Sequence, residues 1–140
     1  MRTIKFRAKC AKDSRYAGEW VEGGVLQCEK SDDVLIVSAI TDTCSCTYHV
    51  DPETVGQFTG LVDKNGKEIY EGDIVRSTNY NEFVYEVVYD GKRFASFGLH
   101  RKQDAFMHYF GEAIDADECE VIGNIHDHQS LIEKGGQDGK

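Results

Sequence analysis

Five cysteines and five histidines carry the richest chemistry in this 140-residue chain, and three of them lie together in Cys44-Ser45-Cys46-Thr47-Tyr48-His49. Thiolates and imidazoles bind zinc, and a thiolate beside an imidazole is also the pairing that nucleophilic catalysis uses. The Cys-x-Cys interval is tighter than the roughly two-to-four-residue gap of ordinary zinc knuckles, and a fourth ligand would have to come from Cys119, His126 or His128. A nucleophile needs in addition a thiolate-lowering environment and a third group to orient its base, and neither is legible around the cluster. A threonine-rich edge strand is the simpler expectation for Thr41 to Val50. His126 and His128, two apart on one face of the last strand's end, are likewise expected as a surface pair. No residue is therefore assigned as catalytic, cofactor-binding or metal-ligating, no cofactor is expected, and an enzyme is the less favoured class.

Charge is the next source of chemistry. The formal net charge is −9, which disfavours a nucleic-acid partner that relies on neutralising phosphates. The distribution is uneven, for Arg2, Lys5, Arg7, Lys9 and Lys12 stand at one end while Glu112, Asp115, Asp117, Glu118 and Glu120 crowd the other. If the first and last strands pair, these charges face one another. Residues 4 to 9 alternate Ile4, Phe6 and Ala8 with Lys5, Arg7 and Lys9, the period of a strand with one buried face, so the basic side chains are expected toward solvent or a partner. Acid pairs between 112 and 120 read as a solvated loop rather than as general acid/base machinery, because so acidic a composition produces them by itself. Gly23-Gly24 lacks the Lys and Ser/Thr that a phosphate-binding loop requires.

These residues need elements to position them. Apolar residues make up 40% of the chain and aromatics 11%, a globular composition, and 140 residues suit one domain that hides roughly two-thirds of its unfolded surface. The longest clean apolar run, Val34 to Val37, is far short of the roughly 20 residues that span a bilayer. The opening residues alternate charge with apolar side chains, and five cysteines lack a disulfide-scaffold spacing, so the expectation is a cytoplasmic protein with reduced thiols and no membrane partner.

Trp20, between Gly18 and Gly23-Gly24, is expected as a core anchor beside flexible turns, with a ligand-stacking platform as the alternative. Val25 to Gln27 and Val34 to Ile40 read as strands around the polar bend 29–33, the second buried on both faces. Gln57 to Val62 is a short strand, Asp63-Lys64-Asn65-Gly66 its turn, and Lys67 to Tyr70 the return. Glu71-Gly72-Asp73 turns again into Ile74 to Thr78, and Phe83 to Tyr89 leads through Asp90-Gly91 to a strand at Arg93 to Phe97. Gln103 to Phe110 is expected as a helical turn, Glu120 to Ile125 as the closing strand with Gly123 at a bulge or close approach, and Ser130 to Lys134 as one more helical turn.

The run Asp51-Pro52-Glu53-Thr54-Val55-Gly56-Gln57-Phe58-Thr59-Gly60-Leu61, followed by Asp63-Lys64-Asn65-Gly66-Lys67-Glu68-Ile69-Tyr70-Glu71-Gly72-Asp73-Ile74-Val75, resembles the signature of the YopX family of phage and prophage proteins. Met1 to Ala8, Gly18 to Gly23 and Glu120 to Ile125 resemble further pieces of it in the right order. The chain departs from that pattern at Lys9-Cys10 and at His126-Asp127-His128-Gln129. The family is known mainly as phage proteins without an assigned activity, so the resemblance implies a phage-derived protein and homo-oligomerisation, and no site residue.

The expected architecture is mainly β: an N-terminal β meander (1–55) followed by an SH3-like small barrel (56–134), one domain over 1–134, with one or two short helical turns near the C-terminus and a flexible tail at 135–140. The expected function is a non-catalytic protein-binding or self-assembly module whose partner is an unidentified host or phage protein. The alternatives are a nucleic-acid-contacting accessory protein using Arg2, Lys5, Arg7 and Lys9, or a metal-dependent enzyme built on Cys44, Cys46, His49, His126 and His128.

Overall fold

The computed structural model describes residues 2–39, 43–78, 83–91, 96–101, 107–110 and 114–135. The chain clusters into two compact units, Met1–Phe58 and Thr59–Lys140. The architecture is mainly β, in two antiparallel sheets, with a short C-terminal helix.

In the first unit, β1 (Phe6–Lys9), β2 (Trp20–Gln27), β3 (Val34–Ala39) and β4 (Ser45–Val50) form a meander, and β5 (Gly56–Val62) pairs with the other side of β1. Alternation along each strand places Ala8, Val34, Ile36 and Val50 in one core, with Phe6, Val21, Val25, Tyr48 and Val55 packed on it. The meander closes back on itself at one end. Cys10 bridges Val50, Ala11 N–H donates to the His49 carbonyl at 2.9 Å, and Asp51 N–H donates to that of Lys9 at 2.8 Å.

Two expectations change here. Gly23-Gly24 is no turn, because β2 runs straight through it, and Gly23 is required there for clearance: a Cβ would sit 2.8 Å from the Val37 carbonyl carbon. Strand β3 is buried on one face, not two, since Val34 and Ile36 are buried while Leu35 and Val37 are half-exposed.

In the second unit the end of β5 pairs with β6 (Glu68–Tyr70), and a five-stranded sheet runs β10 (His108–Tyr109), β9 (Ser96–His100), β8 (Val84–Asp90), β7 (Asp73–Ser77), β11 (Cys119–Asn124). Its core gathers Ile69, Val75, Tyr85, Val87, Leu99 and Cys119. The turn chemistry of the sequence holds: Gly66 and Gly72 have φ of 81° and 91°, the left-handed values their turns demand. The chain reverses between β8 and β9 as expected, but the register ends at Asp90 opposite Ser96, a wider connection than a two-residue Asp-Gly turn. Residues 92–95, where the expected return strand begins, lie outside the described residues.

Helix α1 (Gln129–Gly135) is the expected C-terminal helical turn. A helical turn at Gln103 to Phe110 is corrected in part, for His108–Tyr109 is a strand paired with Leu99 and Gly98, and residues 102–106 lie outside the described residues. The bulge at Gly123 is present: pairing with β7 slips between Val121 and Gly123, and a Cβ at Gly123 would meet the His128 imidazole at 2.8 Å. The first and last strands do not pair, since β1 lies between β2 and β5 and β11 pairs with β7.

Candidate binding surface

The cysteine–histidine cluster is taken apart by the period of its own strand. Residues 45 to 50 alternate exposed and less exposed along β4, so Cys46 and Tyr48 share the core-side face while His49 points to the opposite face with Thr47. A thiolate and an imidazole three residues apart on a strand cannot meet one ion. Cys46 instead hydrogen-bonds Tyr48, which holds that phenol above its ordinary range, and Tyr48 packs edge-on to Tyr16 with centroids 5.7 Å apart.

Cys119 is fully buried in the second unit, where burial, then the nearby carboxylates led by Glu118, push its thiol up to about 12. It is the opposite of an activated nucleophile. Cys10 is also buried, and burial followed by the charge of Glu19 raises its thiol.

His126 and His128 do not form a pair on the last strand, because the chain has left β11 and is turning toward α1. The buried Asn124 builds that turn, its Oδ1 accepting from the N–H groups of His126 and Asp127 at 2.9 Å each. His128 Nδ1 accepts the Asn124 N–H at 3.2 Å and its ring lies on Gly123, whereas His126 Nε2 lies near Gly72.

The basic face of β1 is more informative. Register places Arg7 opposite Glu22 and Lys9 opposite Trp20. The Arg7 guanidinium lies 4.8 Å, and the Lys9 ammonium 5.8 Å, from the centre of the Trp20 ring. Lys5 stands 5.3 Å over Phe58 and pairs with Glu22 at 3.4 Å. These cations are half-buried over aromatic rings rather than projected into solvent, which corrects the expectation of an open basic face; cation–π contact of this kind is worth about 0.5–2 kcal/mol. Trp20 is half-buried, an anchor whose partners are its neighbours' cations.

The acidic end is similarly committed in part. Glu120 pairs with Arg76 at 2.5 Å, and that hydrogen bond is the main cause holding its carboxyl below the usual range. Among the described residues, the carboxylates of Asp115, Asp117 and Glu118 approach within 4.8 Å of one another around a single 3-10 turn, the geometry of a solvated acidic bend. Glu112 lies outside the described residues.

Three features carry no simple signal in the sequence. Asp63 is 4% exposed and gathers three backbone donors: Asn65 N–H at 2.8 Å and Lys67 N–H at 2.9 Å on Oδ1, and Val121 N–H at 2.9 Å on Oδ2. Aspartate opening an Asn-Gly turn was the available hint for the first two, whereas Val121 arrives only through the fold. Glu86 faces His100 across β8 and β9; burial first, and the charge of Glu71, raise its carboxyl while His100 opposes them. A cavity of about 600 Å³ lies against the β2–β3 turn, with Gln27, Cys28, Glu29, Asp32 and Pro52 on its walls.

The fold and its surface define a small two-sheet antiparallel β protein whose most reactive side chains are dispersed or built into turns and strands. A family model, YopX protein, matches residues 5–133, and the chain belongs to that family. It is also similar to the crystal structure of protein EF1440 from Enterococcus faecalis, with 24% identity, a TM-score of 0.53, and coverage of 94% of this chain and 99% of that one. That likeness is one of fold. No curated protein matches. No helix among the described residues is long and apolar enough to cross a membrane.

Proposed function

We propose that this chain is a non-catalytic binding or self-assembly module, phage-derived and cytoplasmic, that acts through its strand surfaces. The observation that carries the reading is the separation of its nucleophiles and ligands. Cys46 and His49 occupy opposite faces of β4, Cys119 is buried and strongly protonated, and Asn124, His128 and Asp63 have their polar atoms tied into turns. Large apolar side chains meanwhile stand exposed on strands and at their ends: Leu26 at 54%, Val62 at 47% and Tyr89 at 47%. Exposed apolar surface on a rigid β scaffold serves recognition better than chemistry. The strand succession of the second unit is read as a small SH3-like barrel, a scaffold that supports binding roles of several kinds.

Tagged protein captured from a bacterial host lysate, with and without nuclease, tests the reading alongside sedimentation of the pure protein. A stoichiometric protein partner that survives nuclease, or a defined oligomer, is the expected result. A monomer that captures nothing above a charge-matched control would overturn it.

Nucleic-acid contact through Arg2, Lys5, Arg7 and Lys9 is the weaker reading. Lys5 is paired to Glu22, and Arg7 and Lys9 lie over Trp20, so binding phosphates would compete with contacts the protein already makes. Affinity for single-stranded or duplex DNA at low salt, falling steeply as salt rises, would revive it.

A further inference from the structure

We propose that the open edge of β4 pairs with the same edge of a second copy, antiparallel across a two-fold axis, with Cys46 facing its counterpart at the dyad. The inference names the partner in the self-assembly reading above and rests on it.

The argument starts from which way the backbone of β4 points. The His49 carbonyl accepts from Ala11 and the Asp51 N–H donates to Lys9, so the odd-numbered residues direct their backbone groups away from β3. Cys46, Tyr48 and Val50 direct theirs toward β3, opposite Ser38, Ile36 and Val34. The outward C=O of His49 and the outward N–H of Asp51 are thus met by the chain after β1. Beyond Ala11 that chain folds back on itself, with Ser14 N–H donating to the Ala11 carbonyl and Gly18 N–H to that of Cys10. The outward N–H and C=O of Ser45 and Thr47 have no such partner among the described residues, and both residues are exposed.

An uncovered edge is ordinarily blunted by a charge, a proline or a bulge. From Thr43 to Val50 there is no lysine, arginine, acid or proline, and the β3–β4 register is unbroken. What is left open is self-complementary. With Ser45 opposite Thr47 of the second copy, and Thr47 opposite its Ser45, the outward N–H and C=O groups of both residues are paired. That register makes Cys46 and its counterpart a non-hydrogen-bonded pair with Cα atoms about 4.5 Å apart. Because Ala11 lies beside His49, the pairing is confined to residues 45–47 of each copy, so the seam carries thiols and hydroxyls, and no like charges oppose one another across it. An isologous pairing of this kind closes after two copies.

The test uses the full chain with Cys28 and Cys44, the exposed thiols, changed to serine. Sedimentation is expected to give twice the 15.8 kDa chain mass, and copper-phenanthroline in air should link Cys46 to Cys46. The Cα separation of such a pair lies within the range a disulfide spans.

Thr47→Pro removes only an outward N–H that β3 does not use, and proline is tolerated at such edge positions. It should return the protein to a monomer and abolish the cross-link. Thr47→Lys, which puts a charge on the edge without touching the backbone, should weaken association at least tenfold. A wild-type monomer at high concentration overturns the pairing and leaves capture of another protein to decide the broader reading. A dimer that survives both substitutions without a Cys46 cross-link overturns the pairing while the assembly reading stands.

Discussion

Removing the Asp63 carboxylate should cost this protein more stability than removal of any other single polar side chain described above. In Asp63→Ala three backbone donors lose a charged acceptor. The N–H groups of Asn65 and Lys67 lie in an exposed turn where water can replace it, so each loss is about 0.5 kcal/mol. Val121 N–H lies inside the β11 edge, and a bond to a charged acceptor there is worth about 2 kcal/mol. The sum, about 3 kcal/mol, corresponds to a fall in Tm of roughly 10 °C for a chain of this size.

Asp63→Asn keeps one carbonyl oxygen for the turn but sets its NH2 against Val121 N–H, for a loss of about 2 kcal/mol. Burial alone would raise the Asp63 carboxyl; the three N–H groups outweigh it, and the folded pKa is lowered. The stability it contributes is therefore fully present above the unfolded carboxylate value of about 3.9 and is lost as pH falls through the lower folded value. Thermal melts of wild type and Asp63→Asn should differ at pH 7 and converge in acid. A Tm within about 2 °C of wild type for Asp63→Ala, or a gap to Asp63→Asn that persists unchanged at pH 2, would refute this account.

Gly23→Ala should cost about 2 kcal/mol or more by driving a methyl into the Val37 carbonyl of β3, seen as a lower denaturation midpoint. Under native conditions at pH 8, Cys28 and Cys44 should react with iodoacetamide while Cys119 stays protected; modification of Cys119 at a comparable rate would contradict its burial. Glu86 has a raised carboxyl, so the folded state is favoured below its unfolded pKa and loses that advantage as pH climbs through the folded value. Glu86→Gln should accordingly flatten this decline and leave the protein as stable as wild type, or more so by up to about 1 kcal/mol, at pH 7. A clear loss of stability in Glu86→Gln would mean that its pairing with His100 outweighs the cost of burying the charge.

Much of the β character was readable because it is local. Asn65-Gly66, Glu71-Gly72-Asp73 and Asp90-Gly91 state where the chain reverses, and the alternation of Ile4 to Lys9 states a strand, each within a few residues. The glycines of β2 misled because an inner-strand glycine and a turn glycine look alike in sequence; what separates them is the Val37 carbonyl of the next strand. The candidate site was legible only as a set of residue types. Cys44, Cys46 and His49 are neighbours on paper, and the alternation that separates Cys46 from His49 was available once β4 was accepted as a strand.

By itself, then, the sequence determined the turns, most of the strands, the family and the acidic balance, all of which depend on residues close together in the chain or on composition. The tertiary structure alone decided the rest. It chose which strand lies beside β1, and so placed Trp20 and Phe58 under the cations; it brought Val121 to Asp63 and Glu86 to His100; and, among the described residues, it left the outward backbone groups of Ser45 and Thr47 unpaired. Strand pairing is set by burial of whole faces summed over distant segments, so no short stretch of residues records it.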